Sequence, residues 1–213
     1  MEPYIAISII AYLLGSISFS VIISKKMAGI DVREKGSGNA GSTNVLRSVG
    51  KKAAALTLVC DVLKGVVAVL IAFIVGLIMG EEAVDKSLLI QCAGLFAVVG
   101  HTFPIFFKFK GGKGIATALG VLLIVNWNIG LICLVFALIV MALTRMVSLG
   151  SIAAAILLPV LALFMPHTAY IVDGNYFIYS LILSGFVIFN HRSNLKRLLE
   201  GKENKLSFKG KEE

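Results

Sequence analysis

Three polar clusters interrupt an otherwise apolar chain, and their residue types suit the capture of anions. The first is Gly36-Ser37-Gly38-Asn39-Ala40-Gly41-Ser42-Thr43-Asn44-Val45-Leu46-Arg47. Its glycines let the backbone reach φ > 0 and approach a ligand closely, and successive N–H groups in such turns form an anion-binding nest. Ser37, Asn39, Thr43 and Asn44 add hydrogen-bonding side chains, and Arg47 offers a bidentate partner for phosphate. Gly36, Gly38 and Gly41 also spell G-x-G-x-x-G, but that fingerprint requires a preceding strand. An apolar helix precedes it here, so the match is accidental. The alternative reading is a flexible Gly/Ser linker, against which the dense interleaving of Asn and Arg counts.

The second cluster, Lys110-Gly111-Gly112-Lys113-Gly114, runs through Ile115-Ala116-Thr117 into a predicted helix. A helix start presents free N–H groups and the positive end of the dipole, and Lys113 adds a formal charge. It is no Walker A loop: Gly114 stands where Ser or Thr is required, and Phe107 where the first glycine is required. Nucleotide hydrolysis is therefore not expected, and a basic turn that only sets topology is the alternative. The third cluster spans Asn190 to Gly201. Continued as a helix, it aligns His191, Asn194 and Leu198 on one face; the alternative is an amphipathic helix lying on anionic headgroups. Asp61 and Lys64 stand at i, i+3 inside an apolar stretch, where charge is costly enough to suggest function, although a structural ion pair fits as well. His101 lies a turn or two before the second cluster. His167 reads as an interfacial residue on the outer face.

The elements that must position these clusters are membrane helices. Of 213 residues, 58% are apolar and 15% charged, and the mean hydropathy is +0.92; soluble domains hold about 45–50% and about 25%. Seven apolar stretches stand out: Tyr4–Ile23, Ala53–Met79, Leu88–Phe107, Ile115–Val125, Ile129–Leu143, Ile152–Met165 and Tyr170–Phe189. The fourth and fifth are separated only by Asn126-Trp127-Asn128, so a single fused helix competes with two short ones. Charge arbitrates. With seven spans, nearly all Lys and Arg residues outside the spans fall on one side, Lys86 alone on the other, as the positive-inside rule demands; fusing the two stretches splits the basic residues. The predicted fold is an all-α polytopic bundle of seven transmembrane helices, N-terminus outside and C-terminus cytoplasmic. The fourth span is too short to cross by itself and is expected to be mismatched or buried in the bundle.

Residues 1–200 read as one integral membrane domain with three cytoplasmic motif segments (36–47, 110–117 and 190–201), and 201–213 as a charged, solvated cytoplasmic tail. Met1-Glu2-Pro3 lacks the basic region of a secretory signal, so the first stretch is read as a span. Cys60, Cys92 and Cys133 fit neither a metal site nor a disulfide framework. The net charge of +8 is spread between apolar runs rather than gathered on a face, which argues against nucleic acid. No nucleophile beside a base motif, no metal constellation and no His-x-x-x-x-Asp dyad is present. The residues by themselves indicate a multispanning protein that gathers phosphate-bearing ligands at its cytoplasmic face. A carrier for a phosphorylated metabolite is the competing class, and it is disfavoured because all three clusters lie on one face.

The three motifs, together with Asp61-Val62-Leu63-Lys64-Gly65 and Gly100-His101-Thr102-Phe103-Pro104-Ile105-Phe106, resemble in order and spacing the bacterial acyl-phosphate:glycerol-3-phosphate acyltransferases, the PlsY family. Ser42, where Ala is expected, and Ser193 are small departures. The resemblance implies a multi-pass enzyme of the bacterial inner membrane. Its substrates would be acyl phosphate and sn-glycerol 3-phosphate, acylated at the 1-hydroxyl to lysophosphatidic acid. Acyl phosphate is already an activated mixed anhydride, so neither a metal nor a cofactor is expected and positioning does most of the catalysis. His191, Lys113 and Ser37 are the expected catalytic residues. Gly36, Ser37, Gly38, Asn39, Thr43, Asn44, Arg47, Lys64, Gly111, Gly112, Lys113, Gly114, His191 and Asn194 are expected to hold substrate. His191 is expected to orient glycerol 3-phosphate rather than serve as an obligatory base.

Overall fold

The first apolar stretch departs from the sequence reading. In the computed structural model, which describes residues 1–165 and 176–206, it forms two helices, α1 (Glu2–Gly15) and α2 (Phe19–Ala28), instead of one uninterrupted span. The break at Ser16-Ile17-Ser18 releases backbone groups that lipid cannot satisfy. The protein supplies partners: the Lys64 ammonium donates to the Ile17 carbonyl at 2.9 Å, and the Ser16 hydroxyl accepts the Ile105 N–H at 3.4 Å.

Beyond a short amphipathic helix, α3 (Ser42–Ser48), the chain continues as α4 (Lys51–Met79), α5 (Lys86–Thr102), α6 (Ile115–Val125), α7 (Trp127–Thr144), α8 (Val147–Phe164), α9 (Tyr176–Asn190) and α10 (Arg192–Leu199). The described residues are all-helical apart from connections. Five segments are long and apolar enough to cross a membrane: Glu2–Ala28, Lys51–Met79, Lys86–Phe107, Trp127–Thr144 and Val147–Phe164; α6 and α9 are shorter apolar helices. The expectation for His167, the start of the stretch from Tyr170, and the tail beyond residue 206 lie outside the described residues.

The fourth and fifth stretches are two helices. Asn126 ends α6, and its side-chain oxygen accepts the Ile129 N–H at 3.2 Å to cap α7, a common start signal. At 11 residues, α6 rises only about 16 Å. It is instead wrapped by protein, burying Thr117, Ala118, Gly120, Val121, Leu122 and Val125. Small residues bring its backbone against α4: a Cβ on Gly65 would strike the Thr117 carbonyl, and one on Gly120 the Val62 carbonyl. Such close approach is the usual way membrane helices associate when apolar burial gives no advantage over lipid. It locks the start of α6, and the loop before it, to the level of α4 that carries Asp61.

Helix directions follow from residue pairs. Tyr4 meets Asp85 and Tyr12 meets Phe103, so α1 runs parallel to α5; Asn190 meets Thr102, and Gly94 faces Tyr179, so α9 runs the same way. Asp61 lies opposite His101 and Gly76 opposite Lys86, so α4 runs against α5. Consequently the loops after α2 and α5 and the end of α9 gather at one end of the bundle.

Candidate active site

Loop 36–47 is organised by one side chain. The Asn44 amide lies beneath the loop, its oxygen accepting the Ser37 N–H at 3.0 Å and its nitrogen donating to the carbonyls of Val32 (2.8 Å), Lys35 (3.0 Å) and Asn39 (3.0 Å). Gly36 and Gly38 make the turns at φ of 58° and 73°. With its amide so occupied, Asn44 shapes the loop while still lining the cavity. Ser37, Asn39, Thr43 and Arg47 do face the shared cavity. Arg33 ties the loop to the next one: it grips Asp31 at 2.7 and 2.9 Å and donates to the Phe107 carbonyl at 2.8 Å. That guanidinium holds the Asp31 carboxyl down at about 2.

The three motif segments converge on a cavity of about 410 Å³. Its mouth carries Ser37, Arg47, Lys113, His191, Asn194 and Arg197, and its depth is apolar, lined by Leu122, Cys133, Ala137, Leu158 and Leu183 from α6, α7, α8 and α9. Lys113 donates to the Asn194 side-chain oxygen across the mouth. Gly114 lines the cavity at the start of α6, while Gly111 and Gly112 lie behind it, hydrogen-bonded through their N–H groups to the carbonyls of Thr102 and His101. These bonds fix the backbone that leads into Lys113. Lys64 is not on the cavity wall. Its ammonium is taken by Asp61 and the Ile17 carbonyl, both at 2.9 Å, where it satisfies the broken first helix.

The tail supplies a residue that sequence reasoning missed. Residues 202–206 fold back instead of streaming into solvent: the Lys202 N–H donates to the Arg197 carbonyl and the Leu206 N–H to the Arg145 carbonyl, each at 2.7 Å. This places the Glu203 side chain, only 5% exposed, between Asn194 (2.9 Å) and Arg197 (3.0 Å). Burial disfavours its charge, but the hydrogen bond from Asn194 and the Arg197 guanidinium win, holding the carboxyl below its usual range. Gly201, at φ 67° just past the Glu200 cap of α10, was the available signal, since a glycine there ends a helix and turns the chain.

Electrostatics at the mouth suit a phosphate. Burial, reinforced by the charges of Arg197 and Arg47 and opposed by Glu203, brings the Lys113 ammonium down to about 8. Burial also lowers His191 to about 4, with Lys113 adding to the effect and the Val187 carbonyl opposing it. His191 is therefore neutral near pH 7. Its Nδ1 lies 2.8 Å from the Val187 carbonyl, which fixes the tautomer with the proton on Nδ1 and leaves Nε2 as an acceptor. Because Lys113 is charged only below about 8, inorganic phosphate should bind progressively more weakly as pH rises through that value. In Lys113→Arg the alkaline limb should move out of the accessible range; titration calorimetry from pH 6 to pH 9 reads both, and an unshifted limb would remove Lys113 from the anion site.

A helical bundle whose cationic mouth opens into an apolar cleft defines an integral membrane protein with a site shaped for an anionic group beside apolar matter. Comparisons with known proteins make the identification specific. Residues 5–201 match the family model described as glycerol-3-phosphate acyltransferase. Proteins named glycerol-3-phosphate acyltransferase are 46% identical over 206 residues in Clostridioides difficile (strain 630), covering 97% of both chains, and 48% identical over 203 residues in Thermoanaerobacter sp. (strain X514), covering 95% of both. The crystal structure of PlsY (YgiH), an integral membrane glycerol 3-phosphate acyltransferase, in its glycerol 3-phosphate form superposes with a TM-score of 0.83 at 38% identity, covering 96% of each chain. Its lysophosphatidic acid form gives 0.81 at 37% identity, covering 96% of this chain and 95% of that one. The chain belongs to the glycerol-3-phosphate acyltransferase family.

Proposed function

We propose that this protein transfers a fatty acyl group from acyl phosphate to the 1-hydroxyl of sn-glycerol 3-phosphate, yielding lysophosphatidic acid and inorganic phosphate in the first step of phospholipid synthesis. The observation that carries the reading is the continuity of one cavity from the Lys113–Asn194 mouth to the apolar wall at Leu158 and Leu183. A phosphate held at that mouth places an attached acyl chain in the cleft, and a second phosphate-bearing substrate meets it from the aqueous side. Holding the two together supplies the orientation that dominates such reactions. The 2-hydroxyl of glycerol 3-phosphate donates to His191 Nε2, which orients the acceptor, and the 1-hydroxyl attacks the acyl carbonyl. The carbonyl's bond to the phosphate oxygen breaks, and the departing phosphate carries off the hydroxyl proton. No protein nucleophile enters. Lys113, Arg47 and Ser37 offset the charge that develops on the phosphates and the carbonyl oxygen.

Purified protein in vesicles given labelled glycerol 3-phosphate and palmitoyl phosphate should form labelled lysophosphatidic acid. Uptake of label without lysolipid would replace the enzyme with a carrier.

The same reading sets the chain across the bacterial inner membrane seven times, with an outside N-terminus and the cavity mouth facing the cytoplasm. It is supported by the basic loops, the parallel course of α1, α5 and α9, and the opposed α4. Single cysteines at the exposed positions Lys35, Lys110 and Lys205 should react with an impermeant reagent only from the cytoplasm, and one at Glu82 only from outside. Reaction of positions 35 and 205 from opposite faces would refute the arrangement.

A further inference from the structure

Beneath the glycine loop lies a buried charged group that the mechanism above does not use. Asp61 of α4 is 1% exposed and His101 of α5 is 7% exposed; Asp61 Oδ1 lies 2.9 Å from Lys64 Nζ and 3.5 Å from His101 Nδ1. Both Asp61 and His101 reach the cavity wall, and no hydrogen bond to His101 Nδ1 is made by the described residues. A buried ion pair is weak evidence for stability, because its desolvation cost rivals its attraction, and charge in a membrane segment calls for a functional account.

The imidazole is in direct contact with the loop. The Gly112 N–H donates to the His101 carbonyl and the Gly111 N–H to the Thr102 carbonyl, each at 3.1 Å, while the Gly111 carbonyl accepts the Ala40 N–H at 3.4 Å. A Cβ on Gly112 would collide with His101 Nε2, and one on Gly111 with the His101 carbonyl oxygen. His101 is thus the floor on which the Gly111–Gly112 backbone rests, and that backbone leads directly into Lys113. Asp61 sits beside the other ring nitrogen, on the helix that Gly65 and Gly120 lock to α6. Resting on the reading of Lys113 as the phosphate-holding cation, we infer that His101, oriented by Asp61, is a positioning residue that sets the height of the glycine loop and hence the placing of the Lys113 ammonium at the substrate phosphate.

The test is a double-mutant cycle with Lys113→Gln, read both as the dissociation constant of inorganic phosphate and as kcat/KM with palmitoyl phosphate and glycerol 3-phosphate. His101→Phe keeps a ring but loses both nitrogens. It should weaken phosphate binding and turnover about 10- to 100-fold, the range for residues that orient a functional group. In the Lys113→Gln background the same change should cost less than about twofold, because residues acting through one another are non-additive. His101→Gln, which keeps hydrogen-bonding atoms near the floor, should recover most of the loss, and His101→Leu carries the cycle in place of His101→Phe if that variant does not fold. Asp61→Asn combined with Lys64→Gln, which removes both charges together, should show the same non-additivity with Lys113→Gln. Equal penalties in both backgrounds, or unchanged phosphate binding in every His101 variant, would overturn the inference. Absence of lysolipid from the parent protein, with the cycle in phosphate binding still non-additive, would count against the proposed reaction and not against this role.

Discussion

Replacement of Lys113 by Gln is expected to lower kcat/KM for both substrates by about 10- to 100-fold. Lys113 is the cation at the start of α6, it spans the mouth to Asn194, and the loop behind it is pinned to His101 and Thr102. A charge-assisted hydrogen bond to phosphate is worth about 1.5–3 kcal/mol, and each 1.36 kcal/mol corresponds to about tenfold in rate. Glutamine keeps a donor but removes the charge, so the loss measures the charge. Arg47→Gln, at the exposed rim of the same cavity, should follow in direction with a smaller effect, since solvent screens it. Steady-state kinetics over both substrates decides the matter: a change below twofold in Lys113→Gln would remove it from the phosphate site.

Replacement of His191 by Ala is expected to reduce turnover efficiency by about 100-fold, whereas His191→Gln should retain most of it. The ring is buried and held through Nδ1 by the Val187 carbonyl, so only Nε2 is left for substrate. With its pKa down at about 4, it is a weaker base than a substrate phosphate, whose second pKa is about 6. The sign of the pH dependence separates the roles. If His191 were the essential base, kcat/KM would stay level on acidification until about pH 4, where the imidazole takes its proton. If the phosphate takes the hydroxyl proton, kcat/KM falls as pH drops through about 6, and the limb persists in His191→Gln. A limb that disappears with His191→Gln, joined to a loss of about 10³-fold in kcat, would make His191 the base.

Much of this was legible from residue types and spacing, because a bilayer imposes strong rules on sequence. The interruption at Asn126 was visible as a polar residue between two apolar runs, and basic-residue asymmetry chose two helices over one. The start of α6 after Gly114 and the placement of Ser37, Arg47 and Lys113 followed from glycine-rich segments next to cations, and that of His191 and Asn194 from their spacing on one helix face. What escaped has tertiary causes. The break at Ser16–Ser18 carries no proline and is held by Lys64, which is 47 positions away in the chain. Asn44 looks like any loop amide until its four hydrogen bonds are seen to organise the turn. Glu203 belongs to a Lys/Glu-rich tail whose composition reads as solvated, yet Arg145 and Arg197 draw its backbone over the cavity. In each case the role was decided by the three-dimensional path of the chain, which brings specific partners together, and residue type and spacing alone carry no information about that path.

The central claim is direct acyl transfer between two phosphate-bearing substrates without a covalent protein intermediate. It is tested most directly by giving purified protein palmitoyl phosphate labelled in the acyl chain, first alone and then with glycerol 3-phosphate. The account predicts no label on the protein in the first stage. In the second it predicts lysophosphatidic acid and inorganic phosphate in equal amounts. Acyl label bound covalently to the protein before glycerol 3-phosphate is added, and passing to product afterwards, would contradict it.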